Sequence, residues 1–360
     1  MMDDKQRSNW LEKVTNPSQL GGIETSVLDN GLGAGTRIAW INTGAGLRFK
    51  VVIDRTMDIA EAFFNQHSLS WLSRLGVMKA QPFADRGTDW LRTFGGGLLV
   101  TCGLTHTGGP EQDDFGARGL HDQISNSPAE IIAVIQPDLR DAEPTMSMTG
   151  IIRQGHPLGP NLELKRTIRA VLGKPAIYID DRITNYGNTA VPHMLLYHFN
   201  FGWPLVDEGS RLLWHGSWEA RETGAKNKLF KEGQAFKKCS APLSIHNGQG
   251  EEAAFIDVKS DPNGKCQCGV YNEHLGLAVS LSFQKSQLPW LTNWQHWGRG
   301  EYVTGLEPGT HPPIGQHKAR AQQQLILLKP GESRGYTLTL DVISQQAAIE
   351  KLLSTYTDEL

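Results

Sequence analysis

Strict alternation of apolar and polar residues recurs along this chain, and it confines most of the fold to half-buried strands. In residues 335–342, Tyr336, Leu338, Leu340 and Val342 share one face, while Thr337, Thr339 and Asp341 share the other. A period of two matches the pleat of a strand and not the turn of a helix. Leu162, Leu164, Ile168 and Ala170 alternate with Glu163, Lys165, Thr167 and Arg169 in the same way. Further strands are expected at 37–41, 47–53, 97–105, 130–136, 146–153, 176–183, 193–201, 253–259, 266–271, 276–283, 303–307 and 323–329. Turn residues punctuate them at 185–188, 261–264 and 329–332. The 39 glycines suit many short strands joined by loops.

Helical signal is sparse. Over 345–356, Ala348, Ile349, Leu352, Leu353 and Tyr356 fall on one stripe, with Ser344 placed to cap its start. A short helix is expected over 68–75. Strands do not alternate with long helices, which argues against a parallel α/β sheet. No repeat or linker divides the sequence. The expected architecture is all-β: one large antiparallel β domain spanning 1–360, with its core at about 30–342.

Composition narrows the function classes. Charges nearly balance, 35 basic against 38 acidic residues, and no basic block offers a footprint for nucleic acid. Cys102, Cys239, Cys266 and Cys268 are too few for a disulfide scaffold and suit a reducing compartment. Cys266-Gln-Cys268 lacks zinc-site spacing and reads as two cysteines on one strand face. No apolar run is long enough to span a membrane, and the first ten residues hold no apolar signal segment. The expectation is a soluble cytoplasmic protein. The glycine clusters at 31–35 and 95–97 do not lie between a strand and a helix, so they are expected as turns rather than phosphate cradles. His193 and His198 stand an odd number of residues apart on one strand, hence on opposite faces, and share no metal. No other ligand set has metal spacing, so neither metal nor cofactor is expected.

Four segments carry candidate chemistry. In the strand at 193–201, Leu195, Tyr197, Phe199 and Phe201 form an apolar face, while Met194, Leu196, His198 and Asn200 form the other. An imidazole and a carboxamide side by side can protonate and hydrogen-bond one small polar ligand; the same pattern also suits a histidine satisfied in a polar sheet face. Glu307 ends a short apolar run ahead of Pro308-Gly309, on a loop rim where sites form, and equally where a solvated turn glutamate stands. Trp290, Trp294 and Trp297 offer flat apolar platforms for a sugar face or for core packing, with Gln295 among them. Arg92, in the segment leading to the 95–97 glycines, offers a rigid donor fork, and His121 follows a Gly-Leu turn.

Together these residues resemble the aldose 1-epimerase (galactose mutarotase) superfamily, in an outlying branch. Tyr197-His-Phe-Asn-Phe201 matches its strand histidine, Leu306-Glu-Pro308 its glutamate near the C-terminal end, and Leu120-His-Asp122 its earlier histidine, with Asp122 where the family has glycine. Its arginine is matched approximately by Arg92 in Arg92-Thr-Phe-Gly95, with Arg55 in Asp54-Arg-Thr-Met57 as competitor. The resemblance implies a large antiparallel β sandwich and interconversion of sugar anomers by ring opening. It implies Glu307 as base on the anomeric hydroxyl and His198 as acid on the ring oxygen. Arg92 or Arg55, His121, Asn200 and Gln295 would hold hydroxyls, and Trp294 would stack on the ring. The two catalytic groups are expected a sugar ring apart rather than in contact. The implied partner is a small monosaccharide; hexose, pentose, deoxysugar, phosphorylated and acidic sugars all remain compatible, as does any oligomeric state. A non-catalytic carbohydrate-binding β sandwich is the main alternative. A lyase or hydrolase is the other, although a retaining hydrolase needs a second carboxylate for which the sequence offers no partner.

Overall fold

The computed structural model describes residues 4–248 and 250–356. Two large antiparallel sheets face each other and share one apolar core. The first runs, strand beside strand, through Gly22–Val27, Arg37–Asn42, Leu47–Val52, Asp58–Phe64, Leu99–Leu104, Val191–Gly202, Glu301–Gly309, Trp290–Gly298, Glu252–Val258 and Gly216–Ala220. The second runs through Arg211–Trp214, Lys265–Asn272, Leu277–Gln284, Ser333–Ile343, Ala176–Asn185, Asn161–Val171, Thr145–Gly155 and Glu130–Ile135.

Alternation decides which face goes inward. Tyr336, Leu338, Leu340 and Val342 are buried, and Leu195, Tyr197, Phe199 and Phe201 meet them from the first sheet within one core. Cys266 and Cys268 are both buried there as free thiols, on one face of their strand. Phe199 is fully buried and stacks on Phe201, with ring centroids 6.5 Å apart. Phe199→Ala is expected to lower stability by about 3–5 kcal/mol in chemical denaturation, as a core truncation that leaves a cavity. A loss below about 1 kcal/mol would place the ring outside the shared core.

The strands expected from alternation form, mostly with ends displaced by one to three residues. Eight described strands were not expected and emerge only in the fold: Gly22–Val27, Asp58–Phe64, Arg211–Trp214, Gly216–Ala220, Trp290–Gly298 and the short His67–Ser68, Glu111–Asp113 and Gly116–Arg118. Most of their residues are drawn into sheets by neighbours rather than by their own pattern. The helix expected over 68–75 is absent. That segment lies against the first sheet instead: the Trp71 amide donates to the Asn200 carbonyl, and the Trp71 carbonyl accepts from Gly97 N–H. The C-terminal helix runs over Gln346–Ser354 with Gln345 at its N-cap position, so Ser344 does not cap it. Helices at Asp4–Lys13 and Gly315–Ala321 were not expected from the pattern. No described helix is long and apolar enough to cross a membrane.

A buried polar bolt joins the sheets. Arg166, from the second sheet, donates to Asp181 through Nε and Nη2, and through Nη1 to Asp58 at 3.2 Å and to the Thr101 hydroxyl at 2.9 Å in the first sheet. Tyr197 donates its hydroxyl to Asp181 at 2.7 Å. This fixes, from the core side, the strand that presents His198 on its other face.

Candidate active site

The site is built on the outer face of the first sheet, and strand register creates it. Leu196 pairs with Gly309 and Phe199 with Leu306, which sets His198 opposite Glu307. Thr292 pairs directly with Glu307 from the other side, and Phe255 pairs with Thr292. Directly opposed side chains on one face stand in contact range. Four neighbouring strands thus deliver the row His198, Glu307, Thr292, Phe255. In the next row Asn200, Gly305, Trp294 and Ala253 are aligned in the same way. Gly305 matters because a Cβ there would lie 2.3 Å from Glu307 Oε1. Its missing side chain is the space into which the carboxyl folds.

His198 Nε2 lies 3.3 Å from Glu307 Oε1, without hydrogen-bond geometry. The expected separation by a sugar ring is therefore overturned; the two groups touch. Both are almost wholly buried, and His198 Nδ1, Glu307 Oε1, Thr292 Oγ1 and Asn200 Oδ1 are buried polar atoms without a hydrogen-bond partner. Such unpartnered groups are costly and rare, and here they gather at one spot. Burial pushes the Glu307 carboxyl well above its usual range, reinforced by Glu251 and opposed by Arg221. Burial pushes His198 down to about 4, offset in part by the Asn200 side chain and Glu251. The low-dielectric floor thus favours the uncharged pair, carboxylic acid beside neutral imidazole.

Above this floor is a cavity of about 660 Å³, walled by aromatic rings. Phe94 and Trp294 flank His198, at 5.4 and 5.5 Å between centroids. Trp71 bridges them, and Trp90 stacks on Phe94 at 4.5 Å. His121 lines the same cavity, 6.2 Å from His198. It has φ of 56° and Asp122 has φ of 59°, both left-handed. Asp122 tolerates this where the resembling motif has glycine, since its carboxylate accepts from Thr105, Gln154 and the Gln123 amide. His121 Nδ1 accepts from Gly108 N–H, and burial, aided by His198, pushes its pKa well down. The neutral ring therefore carries its proton on Nε2, as a hydrogen-bond donor.

The other expected site residues lie elsewhere. Gln295 faces away from Trp294 because adjacent residues of a strand point oppositely; it is buried against the Phe236 carbonyl, Asn293 and Trp297. Arg92 points to solvent, its side chain 86% exposed beside Asp89. Arg55 is buried under a loop, donating to the carbonyls of Ser125 and Thr93. Asn200 sits behind His198 rather than in the cavity lining; its Nδ2 donates to the carbonyls of Gly97 and His198. The cavity instead draws on Trp71, Phe94, Arg221, Glu251, Thr292 and His296. Thr292 and His296 share the parity of Trp294, so recognising that segment as a strand would have found them. Arg221 and Glu251 lie at the ends of a long loop and carry no local signal.

The family described as a domain of unknown function, DUF4432, matches residues 33–342. No curated protein matches the sequence. Among solved structures, a putative aldose 1-epimerase from Klebsiella pneumoniae is 25% identical, with a TM-score of 0.85, covering 95% of this chain and 90% of that one. A galactose mutarotase-like protein from Clostridium acetobutylicum is 13% identical, with a TM-score of 0.60, covering 90% of this chain and 98% of that one. A galactose mutarotase related enzyme from Lactobacillus acidophilus is 11% identical, with a TM-score of 0.55 over 83% of this chain and 95% of that one.

Proposed function

Since this chain belongs to the DUF4432 family and has the fold of galactose mutarotase-like proteins, we propose that it interconverts the α and β anomers of a free aldose. The observation that carries this reading is the buried Glu307–His198 pair at 3.3 Å, its Glu307 Oε1 and His198 Nδ1 without hydrogen-bond partners, on an aromatic-walled floor. Ring opening needs one proton delivered to the ring oxygen O5 and one removed from the anomeric hydroxyl O1. Both oxygens are bonded to C1, so the donor and acceptor must be close neighbours. A touching pair suits this better than two groups a ring apart.

The electrostatics favour Glu307 as the initial acid and His198 as the initial base, the reverse of the roles the resemblance implies. Glu307 gives its proton to O5 as the C1–O5 bond breaks with its electron pair going to oxygen. His198 Nε2 takes the O1 proton as C1=O1 forms. The pair is then carboxylate and imidazolium in contact, which stabilises the open form. Rotation about C1–C2 presents the other carbonyl face. On reclosure Glu307 takes the O5 proton and His198 returns one to O1, so each group serves both roles in turn. Each proton transfer contributes about 10²–10⁴-fold. His121 Nε2–H and the Thr292 hydroxyl donate to ring hydroxyls, and Trp294 stacks on a sugar face.

The deciding experiment dissolves pure anomers freshly and follows equilibration by polarimetry or NMR, with and without protein. Faster equilibration of one sugar supports the reading; the carbohydrate-binding alternative predicts none. The pH profile tests the proton inventory. A working pair holds one proton, so on the acid side kcat/KM falls as His198 is protonated, near its lowered value of about 4 rather than its ordinary 6.5. The alkaline limb comes from loss of the Glu307 proton and lies above the ordinary 4.5. Both limbs belong to the coupled pair. An acid limb near 6.5 would sink this assignment. Gly305→Ala is expected to displace the carboxyl and lower kcat at least tenfold, with retained folding shown by circular dichroism; wild-type kcat would show that Glu307 does not need that space.

A further inference from the structure

The cavity extends well past the Glu307 row. Its floor continues along Thr292, Trp294 and His296 on one strand, and along Phe255, Ala253 and, just past the strand end, Glu251 on the next. Four residues at about 3.3 Å each carry that floor about 13 Å from the reacting pair, more than twice the length of a pyranose ring. The volume of about 660 Å³ equals that of about twenty waters at about 30 Å³ each, whereas a hexose has about a dozen non-hydrogen atoms.

The far end is organised. Arg221 Nη1 donates to Glu251 Oε1 at 2.8 Å, and Trp294 Nε1 donates to Glu251 Oε2 at 2.7 Å. The carboxylate thereby ties a guanidinium fork to an indole. Gly305 and Ala253 flank Trp294 across the sheet, and neither has a side chain large enough to cover its ring. Arg221 and Glu251 are about a third and two-fifths exposed, so their remaining donors and acceptors are open to hydroxyls. Among the described residues, Arg221 is the only lysine or arginine lining the cavity, and its charge is already paired; Glu301 adds a further carboxylate. An anionic sugar would meet no free cation there.

We propose that this end is a second sugar subsite, and that the substrate is a neutral reducing disaccharide or longer saccharide. Its reducing ring meets Glu307 and His198 against Trp294, and the next ring extends past Trp294 to the Arg221–Glu251 clamp. The proposal rests on the anomerase reading for its catalytic half, while binding at the clamp is independent of it.

The test compares glucose with maltose, cellobiose and lactose, each of which ends in glucose. Affinity is read from tryptophan fluorescence, since Trp71, Trp90 and Trp294 line the cavity, and turnover from polarimetry. At least one disaccharide is expected to bind tenfold or more tightly than glucose, with a correspondingly higher kcat/KM. Arg221→Met combined with Glu251→Gln keeps the charge balance and removes the clamp. It is expected to reduce the disaccharide-over-glucose affinity ratio at least tenfold. Equal affinity for glucose and all three disaccharides overturns the subsite, as does an unchanged ratio in the double variant. A binding preference with no acceleration of mutarotation keeps the subsite and overturns the anomerase reading. Acceleration without preference does the reverse.

Discussion

Glu307→Gln is expected to lower kcat for mutarotation by about two orders of magnitude or more, with sugar affinity within a few-fold of wild type. The amide fills the same space over Gly305 but can neither give nor take the proton that O5 exchanges. His198→Asn should act likewise, because the imidazole is the other half of the exchange. The two losses should not add. The groups work as one unit, so the double variant should be about as slow as either single one. Neither substitution should unfold the protein, since each leaves a polar side chain of similar size in place and no hydrogen bond of Glu307 Oε1 or His198 Nδ1 is lost. A Gln variant retaining near wild-type kcat would sink the assignment of Glu307, and multiplicative losses would show that the groups act separately.

Asp181→Ala should cost stability on the order of 3–5 kcal/mol, from an uncompensated buried charge. Arg166 is fully buried; burial opposes its charge, but Asp181 and then Asp58 hold its pKa above the ordinary value. Removing Asp181 leaves only Asp58 and neutral acceptors for the guanidinium, and strips the Tyr197 hydroxyl of its acceptor. Because Tyr197 precedes His198 on the same strand, the loss is also expected to loosen the floor of the site and lower kcat. Chemical denaturation gives the first effect; a change below about 1 kcal/mol would mean that the cluster relaxes without penalty.

The legible part of this protein followed from local chemistry. Alternation in 162–170 and 335–342 marked strands and their inward faces, because the pleat repeats every two residues. The same parity separated Phe199 from His198 correctly. It also excluded Gln295 from the Trp294 face, but only once residues 290–298 are known to be a strand, and there three tryptophans on both faces hide the period. The donor fork of Arg92 is a property of the residue, whereas its direction is a property of the loop. The loop turns Arg92 to solvent and leaves Arg221, from a segment without any motif, lining the cavity.

The sequence alone determined the class of fold, the buried face of each clearly alternating strand, and the presence of an imidazole and a carboxylate in the contexts of a mutarotase-like chain. Only the tertiary structure decided that these groups touch. His198 and Glu307 stand 109 residues apart, and parity fixes the face a side chain takes but not the strand that lies beside it. Sheet order and register did that, by hydrogen bonds between backbones that carry no residue identity. The same packing buries the row, and that burial pushes the Glu307 carboxyl up and the His198 imidazole down.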